Sequence, residues 1–314
     1  MLNTFRDHFT NFMQMRTLHR HGSRVGWRIA PKYTRYLEKC RACFSETLPP
    51  AGDLSKTVAD FRRDGIASFW TPETAAIATA MYDRIRAREA TGERLWADVS
   101  PYGNCNYEGN AYVDFPQLEE LFRGALGTFL LNYFGTYFKI FYGTLFKSVR
   151  TGDLPTGSQL WHSDGGPGTC VNVAFYLHDV LDDGAGALHA LPWSQSVEIY
   201  EREFDSINRM AKERGIKLRK ASRDVRRDIM TSFYKDAIDA RYRAHVRAPK
   251  GRAGLVVPFL NNLLHFGGYP AQDRERIALI VHCYPSDRPA DFERYRRDGF
   301  QKTTPYPIDP AAPF

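Results

Sequence analysis

A chain of 314 residues, 43% apolar and 25% charged, has room for one large domain or two small ones and excludes a disordered or fibrous protein. No apolar run reaches the roughly 18 residues of a membrane-spanning helix, and the N-terminus lacks the basic-then-apolar order of a secretory signal, so a cytoplasmic protein is expected. Five cysteines, an odd and sparse count, argue against a disulfide framework, and the lone C-x-x-C of Cys40 and Cys43 reads as reduced thiols.

The net charge of +7 is unevenly spread: residues 1–50 hold nine Lys/Arg against three Asp/Glu, and residues 211–252 hold fourteen against five. Basic surface attracts anions, whether nucleic acid, anionic lipid or acidic small molecules. No zinc-finger spacing, RNA-binding aromatic signature or helix-turn-helix pattern accompanies it, so no nucleic-acid partner is expected.

In chain order, residues 2–21 place Phe5, Phe9, Phe12 and Met13 at helical spacing. This amphipathic stretch suits packing on the body or a partner subunit, or contact with an anionic membrane surface. A short helix follows over 32–47, and residues 1–52 read as a basic helical extension preceding a domain over 53–314. That domain opens with a helix over 53–65 closed by glycine, a strand over 66–70, and a helix from Thr71-Pro72-Glu73 with an N-cap and a proline at its first turn. Residues 118–134 are apolar at helical spacing, and 137–149 read as one or two strands. Strands follow over 170–177 and 187–191. Residues 196–247 are charged and helical in pattern, broken at Gly215, and form an insertion before strands over 251–257 and 263–266. The apolar run 277–284 reads as a central strand. Helices first, then short strands interrupted by one insertion, give an α+β fold with an antiparallel sandwich or jelly-roll core.

Within that core, Trp161-His162-Ser163-Asp164 places an imidazole and a carboxylate two residues apart, on one side of an extended strand, and Gly165-Gly166 lets the backbone turn away. A His-x-Asp pair alone is a weak signal. His178 and His189 stand near strand ends in the same half of the chain. His265 follows an apolar pair, precedes Gly267-Gly268, and lies eleven residues before Arg276. Two imidazoles and one carboxylate leave open positions on a metal, the ligand set of non-haem Fe(II) oxygenases, and arginine pairs bidentately with the carboxylate of a 2-oxo acid.

Taken together, Phe61-Arg62-Arg63-Asp64-Gly65, the Pro72 helix, Trp161-His162-Ser163-Asp164, Gly186-Ala187-Leu188 running into Pro192, and His265 with Arg276 before Tyr284-Pro285 resemble the phytanoyl-CoA dioxygenase-like branch of the Fe(II)/2-oxoglutarate-dependent oxygenases. The resemblance covers roughly residues 54–286. It implies a double-stranded β-helix (cupin-like) core, with His162, Asp164 and His265 as iron ligands and Arg276 as the 2-oxoglutarate anchor. Lys147 and Thr151 would be further contacts to that co-substrate. It also implies Fe(II), 2-oxoglutarate and O2, with ascorbate as a stimulant, and a small-molecule substrate. The chain departs from the family at Trp193 and Gln195, where Pro-Gly-Ser-His is usual, and at Gly267, where serine is frequent. Retention of Asp164, which halogenating relatives replace by a small residue, favours hydroxylation or another oxidative outcome over halogenation. Desaturation, ring closure or epimerisation is a rival use of the same centre. A rival of another class is a non-catalytic metal-containing jelly roll that binds an anionic glycan or lipid.

Overall fold

The computed structural model describes residues 31–100, 103–150, 155, 157–164, 170–217 and 221–299. The amphipathic stretch 2–21, Thr151 and the glycines at 165 and 166 lie outside these described residues. Five antiparallel strands form the larger sheet: β1 (Asn104–Asn106), β2 (Phe138–Val149), β3 (Val171–Tyr176), β5 (Val256–Leu260) and β7 (Glu275–Pro285), in the order β1-β2-β7-β3-β5. The apolar run at 277–284 is thus central, as its composition predicts. A second sheet pairs β4 (Leu188–Ala190) with β6 (His265–Gly267). Isolated bridges from Arg247 to Ala190 and from His162 to His265 extend it on both sides.

The period of two along β7 separates two environments. Ile277, Leu279 and Val281 point to one face and are buried. They share a core with Phe61 of α2 (Ser55–Asp64), Met81 of α3 (Pro72–Ala90), Tyr112 of α4 (Ala111–Asp114), Leu121 of α5 (Leu118–Arg123) and Phe129 of α6 (Ala125–Phe134). Arg276, Ile280 and His282 point to the other face, where Ile280 and His282 are only partly covered. The N-terminus of α3 forms as its sequence predicts: the Thr71 hydroxyl accepts from the Thr74 amide, and Thr74 returns the bond, with Pro72 at the first turn.

Segments differ from the sequence expectation for local reasons. The apolar stretch 118–134 is two helices, because the chain leaves helical geometry at Gly124 (φ −88°, ψ −131°). The strand expected over 251–257 begins only at Val256, because Gly254 (φ +89°) turns the chain against the start of α3, where any side chain would collide with Ala75. Residues 66–70 contribute only two bridges, Ile66 to Phe259 and Phe69 to Val256, along the edge of β5. Past the last strand, α9 (Phe292–Asp298) forms, capped by Asp291.

α1 (Pro31–Ala42) is tied to the body: the Thr136 hydroxyl donates to the Cys40 carbonyl, and Arg41 Nε donates to the Phe134 carbonyl at 2.9 Å. Between β4 and β5 lies the insertion, α7 (Trp193–Glu213) and α8 (Arg223–Ala237). It has a small core of its own, in which Tyr200, Phe233 and Tyr234 pack with Leu191 and Leu264 of the smaller sheet's flanks. No helix of the described residues is long and apolar enough to cross a membrane.

Candidate metal and carboxylate site

The bridge between His162 and His265 is what assembles the site. Each donates its amide to the other's carbonyl, at 3.0 and 2.8 Å, which sets the two imidazoles side by side with ring centroids 4.4 Å apart. Asp164 is held one step further on by its own amide, which donates to the Asn261 carbonyl at 2.9 Å. Its Oδ1 lies 3.8 Å from His162 Nε2 and its Oδ2 lies 3.8 Å from His265 Nε2. One ligand atom from each of the three residues falls within 4.8 Å of the others.

Both imidazoles are fixed in the same sense. Nδ1 of His162 lies 2.7 Å from the Leu160 carbonyl, and Nδ1 of His265 lies 2.8 Å from the Leu263 carbonyl. A carbonyl only accepts, so each Nδ1 carries the proton and each Nε2 presents its lone pair towards Asp164, which is how metal-ligating histidines are oriented. Burial, and then the neighbouring His162, push the His265 pKa down to about 4, which keeps its Nε2 unprotonated at neutral pH. Burial opposes ionisation of Asp164, but the adjacent His265 and His162 outweigh it and hold the carboxyl below its ordinary value. A carboxylate and two imidazoles converging on one point are a donor set for a divalent metal.

Arg276 supplies the second half of the site. It stands opposite Ser148 across the β2–β7 pairing and is 5% exposed. Nη1 donates to the Gly186 carbonyl, Nη2 donates to Ser148 Oγ at 3.1 Å, and the plane lies over the Phe146 ring. Ser148 in turn donates to Asn104 Oδ1 at 2.6 Å. Nε has no hydrogen-bond partner, and no carboxylate among the described residues forms an ion pair with the guanidinium. Burial alone pushes its pKa down. A buried cation without an anionic partner is costly unless a ligand supplies one.

The guanidinium also faces the metal-type cluster. A side chain at Gly267 would meet Arg276 Nη2 at 3.0 Å. Gly267 and His265 are two residues apart on β6, so they share a face about 7 Å apart along the strand. The departure from serine at Gly267 therefore leaves room for the Arg276 fork. Gly268 is constrained as well, since a side chain there would strike the Ala187 carbonyl at 2.4 Å.

Lys147 is not brought to this place. It pairs opposite Ile277, one residue out of step with Ser148 and Arg276, and so points to the other face of β2. There its Nζ donates to Glu89 Oε1 at 3.1 Å and lies 3.7 Å from Glu275 Oε2, over the Trp96 ring. The co-substrate contact expected of Lys147 is corrected by that strand parity. Arg274, two residues before Arg276, is exposed and paired with Asp182 at 2.8 Å. His178 accepts from the Ile277 amide, and His189 stacks on Phe266 and pairs with Asp183, so neither reaches the cluster.

Several residues at the site were not legible as such in the sequence. Asn172 Nδ2 donates to Asp164 Oδ2 at 2.8 Å. The Phe259 ring packs 4.9 Å from that of His265. His282 and Tyr142, opposite one another on β7 and β2, form a partly open wall with rings 5.6 Å apart. Their strand parity could have shown that they share a face with Arg276, but only once the register was known. The insertion braces the loop that leads into His265: the Tyr200 hydroxyl donates to the Asn262 carbonyl at 2.6 Å, and Ser196 Oγ links Leu191 to the Leu264 amide.

No family model and no curated protein matches the sequence. The chain has remote likenesses among solved structures. One is the alpha ketoglutarate dependent carbocyclase SnoK from nogalamycin biosynthesis, at 17% identity, covering 76% of this chain and 87% of that one, with a TM-score of 0.49. Another is EctD from S. alaskensis with 2-oxoglutarate and 5-hydroxyectoine, at 16% identity, 76% and 79% coverage and a TM-score of 0.48. A third is HygX from Streptomyces hygroscopicus with nickel and 2-oxoglutarate bound, at 12% identity, 74% and 87% coverage and a TM-score of 0.46. Such values mark remote likenesses, and it is the side chains of the site that define its chemistry.

Proposed function

We propose that this protein is an Fe(II)- and 2-oxoglutarate-dependent dioxygenase that hydroxylates an unactivated C–H bond of a small molecule. The observation that carries the reading is Arg276: a buried guanidinium, free of any carboxylate among the described residues, directed at the strand that bears His265. A structural or purely storage role for a metal at His162, Asp164 and His265 would leave that cation unexplained. An α-keto diacid matches it, with one end for the metal and a distal carboxylate for the arginine. The two sheets are then the halves of a double-stranded β-helix, and the phytanoyl-CoA dioxygenase-like branch is the nearest description of the motifs.

In this reading His162 Nε2, His265 Nε2 and one oxygen of Asp164 hold the iron, and Arg276, steadied by Ser148 and Gly186, holds the distal carboxylate of 2-oxoglutarate. Bound iron with 2-oxoglutarate and dioxygen supplies C–H oxidation, with succinate and carbon dioxide as the other products. The protein orients and encloses: the carbonyls of Leu160 and Leu263 fix the imidazoles, Phe259 and Phe146 line the interior, and His282 and Tyr142 face the side left for substrate. The basic insertion favours an anionic substrate, such as a CoA- or carrier-linked acid. Incubation with Fe(II), ascorbate and 2-oxoglutarate is expected to release succinate, and His162→Ala to abolish both iron binding and release. Absence of succinate from the wild type, with or without candidate substrates, or undiminished turnover in H162A, would overturn the proposal.

A further inference from the structure

We propose that Asn172 and Cys170 are positioning residues: a two-member relay that fixes the Asp164 carboxylate so that it meets the metal through a single oxygen, Oδ1. The proposal rests on the metal-centre reading of His162, Asp164 and His265. Asn172 lies on β3 between its two neighbours, opposite His282 on β7 and Phe259 on β5, and is 1% exposed. A side chain so placed, in the middle of three hydrogen-bonded strands, has little freedom to move. Cys170 is two residues earlier, hence on the same face, and is also 1% exposed.

The polarity of the relay follows from which groups can give and which can take a proton. An ionised carboxylate accepts only, so it must be the amide nitrogen of Asn172 that faces Asp164, and the contact at 2.8 Å ends on Oδ2. The amide oxygen of Asn172 is thereby turned towards Cys170, whose Sγ donates to it at 3.3 Å. Burial raises the Cys170 thiol well above its ordinary value, so it keeps the proton that this bond needs. Thiol to amide oxygen, then amide nitrogen to carboxylate, is a chain with one direction. Without the Cys170 donor the amide could turn over and set oxygen against oxygen at Asp164.

The consequence falls on the metal. Each oxygen lies 3.8 Å from one imidazole Nε2, but Oδ2 is engaged by the amide whereas Oδ1 receives no hydrogen bond from the described residues. Ligation through Oδ1 alone keeps three metal positions open, as a chelating co-substrate and dioxygen require, where a two-oxygen grip would close one. Groups that orient metal ligands in this way are worth about 10–100-fold in metal affinity.

The test uses Co(II) as a spectroscopic metal with the full-length protein, following affinity and the visible ligand-field spectrum, with far-ultraviolet circular dichroism as a check on folding. Asn172→Ala is expected to bind Co(II) about 10–100-fold more weakly, with an altered spectrum. Cys170→Ser, which keeps a donor, is expected to stay near wild type, while Cys170→Val weakens binding. Wild-type affinity and an unchanged spectrum in N172A would overturn the relay. If N172A does not fold, the cysteine pair decides: equal affinities in C170S and C170V overturn the part of Cys170 and with it the relay. A wild type that takes up no Co(II) in a manner abolished by H162A would instead overturn the metal-centre reading itself, a result distinct from either.

Discussion

Lys147 and Arg276 are basic residues on neighbouring strands, one residue out of register, and they have opposite fates. On the helix-covered face of the sheet Lys147 meets two carboxylates, Glu89 and Glu275, and Arg86 closes the network through the same two residues. On the opposite face Arg276 is more deeply buried, yet its partners are a carbonyl, a hydroxyl and an aromatic ring. Lys147 is neutralised within the fold; Arg276 is left for something else to neutralise. Position in a charge census does not separate the two, but partnership does.

The largest effect that would break this contrast is at Arg276 itself. Arg276→Gln is expected to weaken 2-oxoglutarate binding by about thirtyfold or more, the 2–5 kcal/mol typical of losing one member of a buried charge pair, while metal binding is retained. Separate titrations of metal and co-substrate check it. A smaller effect is expected at Gly267. Gly267→Ala presses a methyl group against Nη2, and about 1 kcal/mol of side-chain strain corresponds to roughly a fivefold loss of co-substrate affinity with metal affinity intact.

The two faces should also differ in pH response. His265 has a folded pKa of about 4 against an ordinary 6.5. Between these values the unfolded chain binds more protons than the folded one, so the metal-free protein loses stability as pH falls from about 6.5 towards 4. For Glu89, burial is outweighed by hydrogen bonds from Trp96, Lys147 and Arg86, which hold the carboxyl below its ordinary 4.5. Its contribution is full above 4.5 and is lost only below it. Denaturant titrations across this range should show a loss that begins below about pH 6.5, and His265→Phe should diminish it, the remainder coming from His178 and His189, whose pKa values burial also lowers. The smallest effect is at Lys147: Lys147→Ala is expected to cost about 1 kcal/mol of stability, as partly exposed ion pairs do, and to leave 2-oxoglutarate affinity unchanged.

Much of this was readable in advance. Thr71 and Pro72 announce the start of α3 by capping chemistry alone, and the apolar 277–284 run announces a central strand because only burial on both sides tolerates it. The pairing of His162 with Asp164 follows from a strand's period of two. What sequence cannot supply is register across distant strands. Lys147 is plausible as a co-substrate contact until one sees that Ser148, not Lys147, is opposite Arg276. Asn172 was simply part of an apolar strand until the Asp164 carboxylate was found 2.8 Å away. The late start of β5 depends on Gly254 meeting α3, a contact between segments about 180 residues apart that no local pattern encodes.

The central claim, that His162, Asp164, His265 and Arg276 form one site for iron and a 2-oxo diacid, is tested most directly by anaerobic titration of the Fe(II)-loaded protein with 2-oxoglutarate. The visible charge-transfer absorbance of a 2-oxo acid chelated to Fe(II) reports the two together. It is expected to appear in the wild type, to vanish in H162A, and to require far more 2-oxoglutarate in R276Q. A wild type that binds Fe(II) but develops no such absorbance, or an R276Q variant that saturates at the wild-type concentration, would contradict the account.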